Sequence, residues 1–203
     1  MEVFQFITYG MVGIGLAAAC GFRVFVPGLF MSIASHAGSL DLGQGWEWIG
    51  SWPAIVMFGL ATLLEVGGYF IPWFDHLLDT LATPAAVVAG ILATTACVAR
   101  WDPALAWSFG IIAGGGAAAV VQSGTVLARG ASTATTGGAG NFLVAGAELF
   151  GAMAMSFLAI VVPLLACLLF AACAALTAWL FICWRKRKAA SAALEAASSG
   201  PVV

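Results

Sequence analysis

LAWSFGIIAGGGAAAVVQSGTVL, residues 105–127, decides the fold class. A bilayer core is spanned by about 20 apolar residues in helical conformation, which rise about 1.5 Å each. The stretch meets that length without a single charged side chain. Gly110, Gly114 and the run from Gly114 to Ala119 leave one face almost free of side chains. Such a face lets helix backbones approach closely, and lipid supplies no hydrophobic drive to do it otherwise. This span is expected to be central and to offer a candidate homo-oligomer contact.

Working outward, further apolar stretches run from Phe4 to Ala34, Pro53 to Ile71, Ala85 to Val98, Phe142 to Val162 and Leu164 to Trp184. With Leu105 to Leu127 they predict an all-α, polytopic membrane protein of about six spans. The whole chain agrees: 63% of its 203 residues are hydrophobic and 8% charged, against about 25% charged in soluble domains. Mean hydropathy is +1.06. One transmembrane domain over 1–188 is expected, then a disordered cytoplasmic tail over 189–203, rich in Ala and Ser. The first stretch exceeds one span, and Pro27 is expected to kink or break it. Pro163 is the one break between the last two stretches; a re-entrant segment is the alternative to two spans.

Charge placement sets orientation. Arg129 and the cluster Arg185, Lys186, Arg187 and Lys188 fall on one side of a six-span arrangement, which predicts that both termini are cytoplasmic in a plasma (inner) membrane. Trp46, Trp48 and Trp52 mark an interfacial loop. The start, with Glu2 and no Lys or Arg before Phe6, lacks the charged lead of a cleaved signal. A formal net charge of -2 and the clustering of basic residues after a span exclude a nucleic-acid partner. Cys20, Cys97, Cys167, Cys173 and Cys183 have no CxxC or zinc-type spacing, so neither disulfide nor metal is inferred. No cofactor is implied.

Polar groups inside spans carry the functional expectation, because each costs about 2.5–3.5 kcal/mol in the bilayer unless it faces protein or water. Arg23, Glu65 and Glu148 stand out. Glu65 lies seven residues before Pro72 and Glu148 seven after Asn141, which puts both carboxylates about 10 Å inside the same boundary. There they could share a proton or a cation, or be satisfied separately by neighbouring helices. Arg23 is a partner for a carboxylate or an anionic substrate group, or snorkels to headgroups. Asp75 and Asp79 share a face at i, i+4 spacing and read either as a cation funnel or as a solvated linker with Asp79 paired to Arg129. The stretch from Arg129 to Asn141 is rich in glycine and hydroxyls. Ser132, Thr133, Thr135, Thr136 and Asn141 offer oxygens to an ion or an anion, although the P-loop ending is absent.

Three motifs carry a family resemblance: GLAAACGFRVFVP (15–27), Leu64-Glu65 with IPWFD (71–75) and Leu78-Asp79, and ASTATTGG (131–138). Over roughly residues 5 to 180 the chain resembles an uncharacterised family of small, mainly bacterial multi-pass membrane proteins, a domain of unknown function. The resemblance implies a helical membrane fold and supplies no substrate or catalytic residue. Some members carry Asp-Lys where this chain has Tyr69-Phe70, and commonly Asn-Pro where it has Asn141-Phe142.

Residues 5–99 and 105–184 show a similar plan of three helices each, which would make the second half an inverted repeat of the first. The leading expectation is a small proton- or cation-linked transporter or permease for a small solute or ion. Glu65 and Glu148 would be its ion sites, and Arg23 and the threonine segment its substrate contacts. The alternatives are a non-transporting accessory or assembly subunit and a lipid-modifying enzyme using Asp75, His76 and Asp79.

Overall fold

The computed structural model describes the backbone of residues 3–68 and 72–198, and the side chains of these residues except 72–80, 184 and 187–198. Regular structure among them is entirely helical: α1 Val3–Cys20, α2 Phe25–His36, a 3-10 turn Glu47–Gly50, α3 Trp52–Gly68, α4 Pro72–Cys97, α5 Pro103–Phe109, a π-helical turn Gly110–Gly115, α6 Gly116–Thr136, α7 Asn141–Val161 and α8 Pro163–Ser198. Among the described residues four segments have the length and apolarity to cross a membrane: Val3–Cys20, Pro103–Thr136, Asn141–Val161 and Pro163–Cys183. Phe25–His36, Trp52–Gly68 and Leu81–Cys97 are shorter apolar helices.

Side-chain size is sorted from inside to outside. The interior is small, with Ala17, Ala18, Ala19, Ala118, Ala159 and Ala166 fully buried or nearly so. Large apolar groups such as Leu64, Ile112, Leu143 and Phe150 stand exposed. A water-soluble monomer does not leave so much continuous apolar surface open. Small residues between helices and bulky ones facing outward is how helices pack in lipid, and the architecture is that of an integral membrane protein.

The first apolar stretch is two helices, and the break is not at Pro27. α1 closes on Gly21 and Phe22, whose N–H groups bond to Ala18 O and Ala19 O at 3.1 and 3.0 Å. α2 restarts at Phe25, which puts Pro27 in its first turn, where a missing N–H costs nothing. Glu65 of α3 fixes the restart: one carboxylate oxygen accepts from Val24 N at 2.8 Å and the other from Phe25 N at 3.1 Å. A side chain from another helix thus does the work of an N-cap for α2.

The two helices run in opposite directions. Phe6, at the start of α1, stacks on Trp101 with centroids 3.8 Å apart. Asp41, beyond the end of α2, pairs with Arg100, and a Cβ on Gly43 would touch Ala99. Both open ends of this α1–α2 hairpin therefore lie against the 98–102 turn, and its tip, residues 21–24, points to the opposite end of the molecule. The Asp41–Arg100 pair is largely exposed and worth no more than about 1 kcal/mol.

This hairpin gives the first half four helical legs where three were expected, while the second half keeps three; the expected equivalence of 5–99 and 105–184 is not met. Glu65 near the end of α3 and Glu148 near the start of α7 also lie toward the same end of the molecule. An in-plane two-fold axis would send equivalent groups to opposite depths.

α1, not the Gly110–Ala119 segment, is the central helix. Half of the α1 span is buried, against 39% of the span window in Pro103–Thr136. The glycine face is taken within the chain. Gly110 and Gly114 stand against the Thr95 and Thr94 hydroxyls, and a Cβ on Gly90 would come within 2.7 Å of the Ala118 Cβ.

The last two spans are separate. Val162 leaves helical geometry, with φ -136° and ψ 72°, and Pro163 opens α8 at the position that tolerates it best. The turn stays satisfied in an apolar setting because Val162 N bonds to Leu158 O, and Ala166 N bonds back to Val162 O. Two helices run past their expected ends. α4 takes in residues 72–84, with Pro84 inside it. α8 continues to Ser198 through the alanine-rich stretch expected to be disordered; Ala is the strongest helix former.

Candidate functional site

α6 and α7 are joined by the short turn 137–140, so residues equally far from it meet at one height. α6 ends at Thr136 because Gly137 takes the left-handed conformation, with φ 62°, which only glycine enters cheaply. Arg129 lies seven residues before Thr136 and Glu148 seven after Asn141, which is two turns on either side. They form a two-pronged pair: Arg129 Nε donates to Glu148 Oε1 at 2.9 Å, and Arg129 Nη2 donates to Oε2. Bidentate arginine–carboxylate pairing is the strong form of this bond.

Arg23 completes the cluster from the hairpin tip. Its Nη2 donates to Ala145 O at 2.9 Å and stands 3.6 Å from Glu148 Oε2. Its relative exposure is 2% and that of Glu148 is 5%, which rules out snorkelling to headgroups. Glu65 lies within electrostatic reach of Arg23 and Glu148 but spends its two oxygens on the α2 backbone. The two glutamates thus engage different protein partners. Each is satisfied separately, by arginines in one case and by backbone N–H groups in the other. Arg23, Arg129, Glu148 and Glu65 balance in formal charge. This makes a buried group of four affordable where a lone ion is not.

The threonine segment is helical over most of its length, where a break between spans was expected. Ser132, Thr133, Thr135 and Thr136 lie on the last turns of α6, not in a loop. Thr135 and Thr136 donate to Ala131 O and Ser132 O, at 2.9 and 2.8 Å. Thr136 Oγ1 then accepts from Gly140 N at 2.9 Å, and Asn141 Nδ2 donates to Thr133 Oγ1 at 3.1 Å. Back-bonding of this kind lets hydroxyl residues continue a helix. These hydrogen bonds close the α6–α7 turn. The Ser132 hydroxyl is buried without a hydrogen-bond partner among the described residues, beside Gly140. The side chains of Asp75, His76 and Asp79, on the first turns of α4, lie outside the described residues.

Beside the ion cluster is a cavity of about 920 Å³ between α6, α7 and α8, with Phe22 of the hairpin tip and Glu148 in its wall. Its lining is mostly apolar, from Val121, Leu127 and Val144 to Leu176 and Leu180. It falls in the size range of small-molecule sites. Among the described residues no group of three His, Cys, Asp or Glu side chains is placed to hold a metal ion.

The composition of the chain gave no hint of this cavity. Arg129 as the partner of Glu148 did leave a signal, the equal spacing about the 137–140 turn. It was obscured because the hydroxyl-rich stretch was expected to end the helix at Leu127.

No curated protein and no solved structure matches the chain. One family model does, across residues 11–183, within a few residues of the extent expected from the motifs. The chain belongs to the family described as Domain of unknown function (DUF4126).

Proposed function

We propose that the protein is a small permease of the bacterial inner membrane, in which the Arg23–Glu148–Arg129 cluster is an ion-pair latch beside the substrate cavity. The observation that carries this reading is the position of Glu148, clamped between two arginines from different elements while forming part of the cavity wall. Buried ionisable groups in a membrane mark substrate or proton pathways by default. A broken helix at such a site is a recurring transporter device, and the α1–α2 break supplies it. Protonation of Glu148, or arrival of a charged substrate, would cancel the charge that holds Arg23 and Arg129 together. The hairpin tip would then be free to move against α6 and α7. Proton linkage therefore rests on Glu148 alone, with Glu65 as the anchor of the tip. The accessory-subunit reading is weakened, since the glycine face it needed is covered by α4.

Flux tests the reading. Protein reconstituted in liposomes with an internal pH-sensitive dye is expected to carry proton-coupled flux. Glu148→Gln is expected to lower it roughly tenfold or more, the equivalent of one lost charge-assisted bond. No flux in the wild type, or flux indifferent to Glu148→Gln in protein that still folds, removes the permease.

Seven crossings are proposed in place of six, with the α1–α2 hairpin supplying the extra leg. The basic cluster 185–188 then assigns the C-terminal end to the cytoplasm and the N-terminus to the outside. Single cysteines at Ser39 and Asp102, in an otherwise cysteine-free background, are expected to react with an impermeant maleimide from the same side as an N-terminal tag. Labelling from opposite sides would return the count to six.

A further inference from the structure

The cavity is a slot more than a sphere. On α8 its wall follows Cys173, Thr177 and Leu180 and reaches Lys186, thirteen positions further on than Cys173, or about 20 Å at the helical rise. On α6 it follows Gly124, Ala128 and Ala131 at i, i+4, i+7, one face of one helix. The deep end has Phe22 and Val121, and the Glu148 carboxylate there is already engaged by arginine. The shallow end has the Lys186 ammonium, which is exposed; among the described residues no carboxylate pairs with it. A long apolar channel with Lys186 at its mouth selects by shape and by charge at once. The chain of an amphiphile fills the length, and an anionic headgroup stays at the boundary on Lys186.

We infer that the slot between α6 and α8 binds a single-chain anionic amphiphile, tail inward, with its carboxylate or phosphate on Lys186. This names the substrate class for the permease and rests on that reading for transport, though not for binding. The apolar lining gives affinity by taking the tail out of water, and Lys186 gives the sign of the headgroup.

Binding is measured on the full chain in an uncharged maltoside detergent, with dansyl-labelled undecanoic acid as the fluorescent probe. Saturable binding is expected, with displacement by palmitate and not by its methyl ester or by hexadecyltrimethylammonium. Ala128→Trp and Ala131→Trp each fill the slot from α6 and are expected to weaken the probe roughly tenfold or more, as about 1.4 kcal/mol or more of apolar contact is lost. Lys186→Gln should weaken it several-fold, and Lys186→Arg should restore it. Undiminished affinity in both tryptophan variants overturns the site, as does failure of the probe to bind. Equal displacement by the cationic amphiphile overturns the headgroup assignment. Single-chain lysophospholipid that copurifies with the wild type and is lost from the tryptophan variants identifies a membrane lipid as the source; probe binding without such lipid identifies a free amphiphile, and a two-chain phospholipid retained in its place overturns the single-chain assignment. Binding that obeys these rules in a protein without flux refutes the permease and leaves the ligand class standing.

Discussion

Glu148→Ala is expected to destabilise the protein by about 3–5 kcal/mol, the cost of stripping the partner from a buried ion. The effect is large because two guanidinium groups lose it together. Arg129 gives up both prongs of its pair, and Arg23 loses the carboxylate 3.6 Å from its Nη2. Both arginines are buried, so water cannot replace the carboxylate without opening the helix bundle. Unfolding in detergent followed by helical circular dichroism reads the change. Glu148→Gln keeps the shape and one acceptor and should lose less. Replacing the pair together, Arg129→Leu with Glu148→Leu, should cost less than the sum of the single changes, because neither ion of that pair is left buried without the other. A loss below about 1 kcal/mol for Glu148→Ala would mean that the cluster behaves as a surface pair screened by solvent, and the latch would go with it.

The chain states its solvent openly and its topology only in part. Length and apolarity alone give the legs at 53–71, 142–162 and 164–184, and the structure has helices at each. Arg23 and Glu65 were also visible, because a charge in a greasy stretch needs a partner whatever the fold.

What stayed hidden is the α1–α2 hairpin. Its break depends on Glu65, 41 positions from Val24 in sequence, capping a helix that local propensity would have let run on to Pro27. A cap supplied across the fold leaves no local mark. The same limit explains Arg129. Hydroxyl and glycine residues suit a loop by propensity, but tertiary contact and back-bonding carried α6 to Thr136, and only then do 129 and 148 fall opposite each other.

Packing of α1 then decides whether the charged cluster can form at all. A Cβ added to Gly15 would lie 2.7 Å from the Cβ of Ala159 and 3.1 Å from that of Ala166, so α1 touches α7 and α8 at nearly the closest distance backbones allow. Gly15→Ala is expected to cost about 1–3 kcal/mol by overpacking, against its normal gain of up to about 1 kcal/mol in helix propensity. Gly15→Leu should prevent native packing. Gly146→Ala is the control, because Gly146 lies on α7 with nothing near its missing Cβ, and it should be neutral or slightly stabilising in the same melt. Two turns beyond Gly15 the chain reaches Arg23, whose Nη2 holds Ala145 O at 2.9 Å. A shift of an ångström in α1 is enough to break that bond, so Gly15→Ala should also impair whatever depends on the Arg23–Glu148 contact, though no charged group has been changed. Equal stability of the two alanine variants would show that α1 is not wedged against α7 and α8, and the hairpin tip would then have no fixed seat from which to meet Glu148.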